Sequence, residues 1–259
     1  MVAPVPQTVA HQIEVEALQR LFKGGTWDGL KDEWWYESLA AADKLAQVDA
    51  VTASSIKVSL YMLAGEFDNV EYWIGNIRKN GQPERAALSA LHSNANFGFA
   101  AKTRKAFAEL TDLPRDKLPF ILVVGLCGAC FSGIETAASA WRNAGGTLDE
   151  ENTMIVELSK LATKALSQLA VTEDQVAQVL DAAGNVLRAH KLVWAGRHPE
   201  LAVSAASDDS YVSLRYLVPV SASIAAGMNW ELAEALAGSE LMPAGVSVSF
   251  FGTDGVAVA

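Results

Sequence analysis

The sequence predicts a mainly α fold, with stacked α-hairpins or an irregular helical bundle followed by a small C-terminal βαβ module. Two observations lead to this prediction. Apolar side chains from about Thr8 to His190 recur at the helical spacing of three and four residues. After Pro199 the pattern changes to the alternation that is typical of strands. We therefore place a helical domain at 1–200 and an α/β module at 207–259.

The helix boundaries follow from local signals. Pro83 comes shortly after Gly81, the order expected when one helix has ended and the next begins with proline in its first turn. Thr172 and Gln175 have the spacing of a capping box, which predicts a helix from Thr172 to about His190. Its predicted buried stripe is Val176, Val179, Leu180, Ala183 and Leu187. The predicted breaks are 24–25, Asp49, 81–83, 112–114, 145–146 and 171–172.

An internal repeat organises the region from about 50 to 146. A constant shift superimposes 60–81 on 124–145 and matches Phe67 with Phe131. Phe99 lies midway between these two phenylalanines. The even spacing predicts a repeated unit of a helix, a tight bend and a second helix, with further helices at about 149–190.

The first unit resembles a tetratricopeptide-type repeat, best over 58–81 and again over 122–145. Tyr61, Gly65, Phe67 and Val70 stand where that family places an aromatic residue, the turn glycine, a second aromatic residue and a small residue. The family prefers alanine at the position of Val70, and the middle unit has no glycine in the same register. The resemblance implies a solenoid of α-hairpins whose exposed face binds proteins, and the irregular bundle stays open as the alternative.

The C-terminal region predicts a βαβ unit. Residues 210–220 and 245–252 alternate as strands do, and 221–241 reads as a helix that buries Ile224, Met228, Leu232 and Leu236. Two strands joined by such a crossover should be parallel. Because two strands are too few to be stable alone, we expect them to dock on the helical region or to self-associate with a second copy.

The two cysteines of the chain, Cys127 and Cys130, form a C-x-x-C motif before a predicted helix. A redox dithiol is one interpretation, because a helix N-terminus lowers the pKa of a thiol. The segment is similar to the alkylhydroperoxidase D and carboxymuconolactone decarboxylase group, whose C-x-x-C is followed by a proton-shuttling histidine. That position is Ile134 here, which leaves Glu135 as the nearest acid or base. The other interpretation is packing of small residues where two helices cross.

Other catalytic and cofactor motifs are absent from the sequence. A dinucleotide-binding glycine pattern starting at Gly125 would need glycine at both cysteine positions. The four histidines lack the spacing of metal ligands, and no G-x-S-x-G motif occurs. We therefore expect no metal and no cofactor.

A concentration of aromatic residues suggests a binding surface. Trp34, Trp35 and Tyr36 are consecutive and must point in different directions from one helix. Trp27, Tyr72 and Trp73 are the other candidates, and such residues are enriched in interface hot spots. Packing between successive helices is the alternative for at least two of the consecutive three.

Composition restricts the classes of function. The chain has 259 residues, 51% of them hydrophobic, so it can bury a large core. Its net charge of −10 argues against a nucleic-acid partner, because affinity for phosphates comes largely from lysine and arginine. Its apolar runs are shorter than the ~20 residues that a membrane span needs. We also expect no signal peptide and, with two cysteines only, a reducing cytoplasmic location.

These observations favour a non-catalytic protein–protein interaction subunit, such as a scaffold, an adaptor or a chaperone-like component of a larger assembly. One alternative is a thiol-dependent oxidoreductase that uses Cys127 and Cys130 with Glu135. The other is a structural subunit of a self-assembling particle, in which the C-terminal strands complete a sheet between protomers.

Overall fold

The computed structural model of the chain describes residues 6–23, 27, 31–110, 117–192, 199–206, 208–237 and 243–253. The fold is mainly α with a small sheet near the C-terminus, as the sequence predicts. The helices are α1 (Pro6–Lys23), α2 (Glu33–Leu45), α3 (Ala50–Leu63), α4 (Phe67–Lys79), α5 (Pro83–Asn96), α6 (Ala100–Ala108), α7 (Leu118–Leu126), α8 (Phe131–Asn143), α9 (Glu150–Leu169), α10 (Glu173–Ala189) and α11 (Ala222–Ala237). The strands are β1 (Glu200–Ala206), β2 (Asp209–Val218) and β3 (Val246–Gly252).

Local capping signals place several helix ends where the sequence predicts them. Asp49 accepts a hydrogen bond from the Thr52 N–H at the start of α3. Pro83 occupies the first turn of α5, and the Thr172 capping box at the start of α10 is complete. The predicted stripe of α10 is buried throughout. The predicted breaks at 24–25 and 112–114 lie outside the described residues.

Three α-hairpins, α3–α4, α5–α6 and α7–α8, form the middle of the chain, and α1 and α2 pack on α3. Each hairpin bends at a residue with positive φ: 69° at Gly65, 65° at Gly98 and 50° at Ala129. After each bend, the next N–H donates to a carbonyl five residues back, which closes the helix end. Helices α4 and α8 have equal lengths and begin at Phe67 and Phe131, the two phenylalanines that the predicted shift aligns.

The register predicted for the middle unit is wrong by one residue. The second helices of the hairpins begin at Phe67, Ala100 and Phe131, so the middle helix begins one position after Phe99 and not at it. Gly98 therefore occupies the bend of the middle unit, which does have a glycine in register. The Phe99 ring, just before its helix, contacts Phe67 with centroids 4.4 Å apart. The sequence comparison uses one constant shift without gaps, so it aligns Phe99 with Phe67 and Phe131. Such a comparison cannot detect that the middle hairpin differs in length by one residue.

Helix α10 holds the bend of the second hairpin. A Cβ on Gly184 would lie 1.7 Å from the Gly98 carbonyl oxygen, so the helix and the bend meet backbone to backbone. Asp181 accepts a hydrogen bond from the Ala101 N–H at 3.3 Å, and its burial raises the pKa of this carboxyl group. Arg188 donates to the Phe97 carbonyl oxygen at 2.5 Å. One face of α10 thus satisfies backbone groups on both sides of the bend.

The sheet has the strand order β1-β2-β3, with β1 antiparallel and β3 parallel to β2. The predicted βαβ unit, β2–α11–β3, is therefore confirmed with its parallel strands. Helix α11 buries the predicted Met228, Leu232 and Leu236 together with Ala225. Ile224 is exposed, so the prediction that it is buried is wrong. Helices α9, α10 and α11 contact the sheet, which shares one large apolar core with α5 to α10.

The partners that the two predicted strands need are found within the chain. Strand β1, which the sequence pattern did not predict, pairs with β2 over its full length, Glu200–Ala206. Asn229 of α11 accepts from the Phe250 N–H and donates to the Phe250 carbonyl oxygen, both at 2.8 Å. This amide satisfies the backbone groups of Phe250 on the outer edge of β3. The two predicted strands therefore gain a third strand from the same chain, and self-association through them stays a prediction.

Two smaller cores lie at the N-terminal end, one around α1, α3 and α4 and one around α1, α2 and α3. The second contains Trp35, which is 3% exposed. Among the described residues, none of the helices has both the length and the apolar composition to cross a membrane.

Candidate functional site

Two clefts lie on either side of α6, between the second helices of successive hairpins. The α4–α6 cleft has a volume of about 290 Å³ and is lined by residues of α4, α5 and α6. The α6–α8 cleft has a volume of about 380 Å³ and is lined by residues of α6 and α8 together with Glu173. The hairpin repeat thus produces a face, formed by α4, α6 and α8, with a cleft between each pair of neighbouring helices.

Two ion pairs frame the α4–α6 cleft. Glu71 pairs with Lys102 at 2.7 Å, and Arg78 pairs with Glu109 at 2.9 Å. Both pairs join residues 31 positions apart, so α4 and α6 run parallel and side by side. Because the two ion pairs are seven residues apart along each helix, a rise of 1.5 Å per residue puts about 10 Å between them.

Gly75 forms part of the α4 wall of this cleft. It lies inside a helix, where glycine costs roughly 0.5–1 kcal/mol of stability relative to alanine. Such a glycine is usually explained by a close neighbour, but a Cβ here would meet nothing within 4 Å. Its missing side chain therefore serves to leave the cleft open.

Two polar side chains of the α4–α6 cleft lack partners in the described part of the chain. Asn94 lies on the α5 floor and is 8% exposed, yet its side-chain amide makes no hydrogen bond there. Lys105 lies on α6 midway between the two ion pairs and has no carboxylate partner within the same ranges. Because neither side chain is committed to another group within these ranges, both are available to a ligand.

The sequence interpretation did not find this cleft. Its charged residues have the spacing of ordinary solvated helix faces, and Asn94 belongs to a helix without any motif. The one local signal was Gly75, a glycine inside a helical pattern, which often has a packing or functional reason.

Cys127 and Cys130 form no disulfide and are buried, at 4% and 3% exposure. Cys130 lines the α6–α8 cleft. Burial raises the pKa of its thiol to about 12, although the nearby Arg104 guanidinium acts in the opposite direction. This is the direction expected for a packing thiol and opposite to that of a reactive one.

The groups that could activate the Cys130 thiolate are already paired. Arg104 forms ion pairs with Glu173 at 2.6 Å and with Asp174 at 2.7 Å. Glu173 also accepts from the Ser132 N–H at 2.7 Å, in the first turn of α8. The carboxylate therefore takes the position at the helix N-terminus where a thiolate would be stabilised.

Glu135, the acid or base of the redox hypothesis, is not among the residues that line this cleft. Its carboxylate accepts a hydrogen bond from Thr163 of α9 at 2.8 Å. The carboxylate that does line the cleft with Cys130 is Glu173, which belongs to α10 and lies far along the chain. No local pattern connects residues so far apart, so the sequence could not indicate Glu173.

We expect both thiols of the folded, reduced protein to stay unreactive toward a disulfide reagent from about pH 5 to about pH 9. Their burial blocks access, and the raised pKa of Cys130 keeps it protonated. The reagent's absorbance, followed with and without denaturant, measures this, and Cys127→Ala and Cys130→Ala assign each signal. Fast native reaction with reversible closure of the pair would contradict the prediction and favour the oxidoreductase.

The candidate aromatic residues separate into packed and exposed groups. Trp35 donates its Nε1–H to the Leu60 carbonyl oxygen at 2.7 Å. The Arg20 guanidinium lies over the Trp34 ring, 4.0 Å from its centroid. Trp27 contacts Phe97 edge-on, with centroids 5.7 Å apart. These tryptophans belong to the N-terminal packing, whereas the neighbouring Tyr36 is 60% exposed.

Tyr72 is exposed on α4, and Trp73 is half-buried beneath the Lys57 ammonium, which lies 3.8 Å from its ring centroid. Trp230 and Phe251 are also exposed and were not among the sequence candidates. Trp230 has no aromatic neighbour in its helix and Phe251 has only Phe250, so the sequence shows no aromatic cluster at either position.

No group of three or more histidine, cysteine, aspartate or glutamate side chains within the described ranges is arranged to hold a metal ion. Within the same ranges, the α4–α6 cleft has two polar side chains without a partner, Asn94 and Lys105, and it is the best-defined candidate site. In comparisons with protein-family models, curated proteins and solved structures, no match to this chain was found.

Proposed function

We propose that this chain is a non-catalytic protein-binding subunit, acting as a scaffold, an adaptor or a chaperone-like component of a larger assembly. A segment of the partner protein binds on the face formed by α4, α6 and α8. The observation that carries this proposal is the α4–α6 cleft between its two ion pairs. Among the described residues Asn94 and Lys105 have no partner there, and Gly75 leaves space.

The size of this cleft suits a side chain of a protein partner better than a cofactor. Its volume of about 290 Å³ is just below the range for small-molecule sites, which is roughly 300–1,000 Å³. Exposed Tyr72 follows Glu71 at the rim and is a residue type enriched in interface hot spots. A partner side chain in the cleft, with contacts on the surrounding helices, gives the arrangement that stacked α-hairpins use for binding.

We also propose a cytoplasmic location, because a chain with two cysteines and no disulfide between them suits a reducing compartment.

A selection of random displayed peptides on the immobilised protein tests the proposal. We expect enriched peptides whose binding falls at least about tenfold for Gly75→Trp, because the indole fills the cleft and removes a central anchor. Gly227→Trp is the matched control. Gly227 also lies inside a helix, α11, and a Cβ there also meets nothing within 4 Å.

Gly75→Ala should fold and bind as the wild type does, because one methyl group leaves most of the cleft free. Enriched peptides that bind Gly75→Trp and Gly227→Trp equally well would show that the cleft is not the binding site. A selection that enriches nothing would count against a peptide-binding function on this face.

A further inference from the structure

We infer that the α4–α6 cleft receives the side-chain carboxylate of an aspartate or glutamate in the partner segment. This inference rests on the proposed function and specifies the chemistry of the residue that enters the cleft. It follows from the charges, the hydrogen-bonding groups and the size of the cleft.

The charge of the cleft leaves one cation unmatched. The carboxylates of Glu71 and Glu109 are each paired with a cation on the opposite helix. Lys105 has no such partner in the described part of the chain, so the lining carries one net positive charge in a protein of net charge −10. A ligand with a single negative charge would balance this ammonium group.

The hydrogen-bonding groups favour the same ligand. The Asn94 amide offers two N–H donors and the Lys105 ammonium offers three, whereas a carboxylate accepts several hydrogen bonds at once. A cationic ligand would be repelled by Lys105, and a neutral amide would leave its charge unbalanced. A doubly charged phosphate would face the Glu71 and Glu109 carboxylates at the two ends of the cleft.

The dimensions favour a side chain over a larger group. The two ion pairs leave about 10 Å between them along the helix axes. An aspartate or glutamate side chain fits this length while its backbone stays at the rim. The absent Cβ of Gly75 allows that backbone to approach α4 closely.

Three capped amino acids test the inference by NMR on the full chain. The probes are N-acetyl-glutamate N-methylamide, its glutamine counterpart, and N-acetyl-alanine, which carries a free C-terminal carboxylate. We expect the glutamate probe to shift the side-chain amide resonances of Asn94 saturably and to bind at least about tenfold more tightly than the glutamine probe. Its affinity should fall as salt is added.

Lys105→Gln should weaken binding of the glutamate probe about tenfold, because it removes a charge-assisted hydrogen bond. Lys164→Gln, which changes an exposed lysine of α9 outside the cleft, should leave the affinity unchanged. Both substitutions affect exposed side chains, so the variants should fold as the wild type does.

Equal binding of the glutamate and glutamine probes, unchanged affinity in Lys105→Gln, or no shift at high millimolar concentration would overturn the inference. Tighter binding of N-acetyl-alanine would assign the cleft to a C-terminal carboxylate and overturn the side-chain assignment. The proposed function fails separately. Selected peptides that are sensitive to Gly75→Trp but lack acidic residues would retain it while rejecting the inference.

Discussion

Gly184→Ala should destabilise the protein by about 3 kcal/mol, although alanine is the better helix former. The new Cβ would lie 1.7 Å from the Gly98 carbonyl oxygen and 2.7 Å from its carbonyl carbon. Both are backbone atoms of a bend with positive φ, so no flexible side chain can move aside. Displacing α10 would also break the hydrogen bonds that Asp181 and Arg188 make to the same bend.

Urea denaturation followed by circular dichroism measures this loss as a lower free energy of unfolding. Gly227→Ala in α11 is the matched control, because nothing lies within 4 Å of a Cβ there. The control should gain up to about 1 kcal/mol from helix propensity alone. If the two variants changed stability in the same direction, the close contact between α10 and the bend would be refuted.

Trp35→Ala should cost about 3–5 kcal/mol of folding free energy, whereas Tyr36→Ala should change stability by no more than about 0.5 kcal/mol. The two residues are neighbours in α2 with opposite surroundings. Trp35 is 3% exposed, contacts Tyr61 edge-on and donates to the Leu60 carbonyl oxygen. Tyr36 is 60% exposed, so its removal leaves no cavity.

Thermal and urea denaturation of both variants, with tryptophan fluorescence as a second probe, test this difference. Trp35→Phe serves as an intermediate variant that keeps an aromatic ring but removes the Nε1–H donor. Comparable losses for Trp35→Ala and Tyr36→Ala would mean that both side chains belong to the core. A stable Trp35→Ala variant would instead show that α2 does not depend on its packing against α3.

Short-range signals account for much of the helical fold. The Thr172 capping box satisfies backbone donors within a few residues, and Pro83 in a first turn removes one. Neighbouring residues therefore determine where these two helices begin. The alternation in β2 and β3 likewise reports which side chains face a core. The sequence did not predict strand β1, because its small residues show only a weak alternation of apolar and polar positions. It forms a strand by pairing with β2.

The sequence by itself determined several helix ends, the helix–bend–helix repeat and the parallel βαβ unit, because these depend on hydrogen bonds and apolar patterns among near neighbours. Only the tertiary structure decided the candidate site. Glu71 and Lys102 look like separate solvated charges until α4 and α6 lie side by side. Asn94 lines the cleft only because α5 packs beneath both helices. Contacts between residues far apart in the chain arise from packing, and no local spacing encodes them.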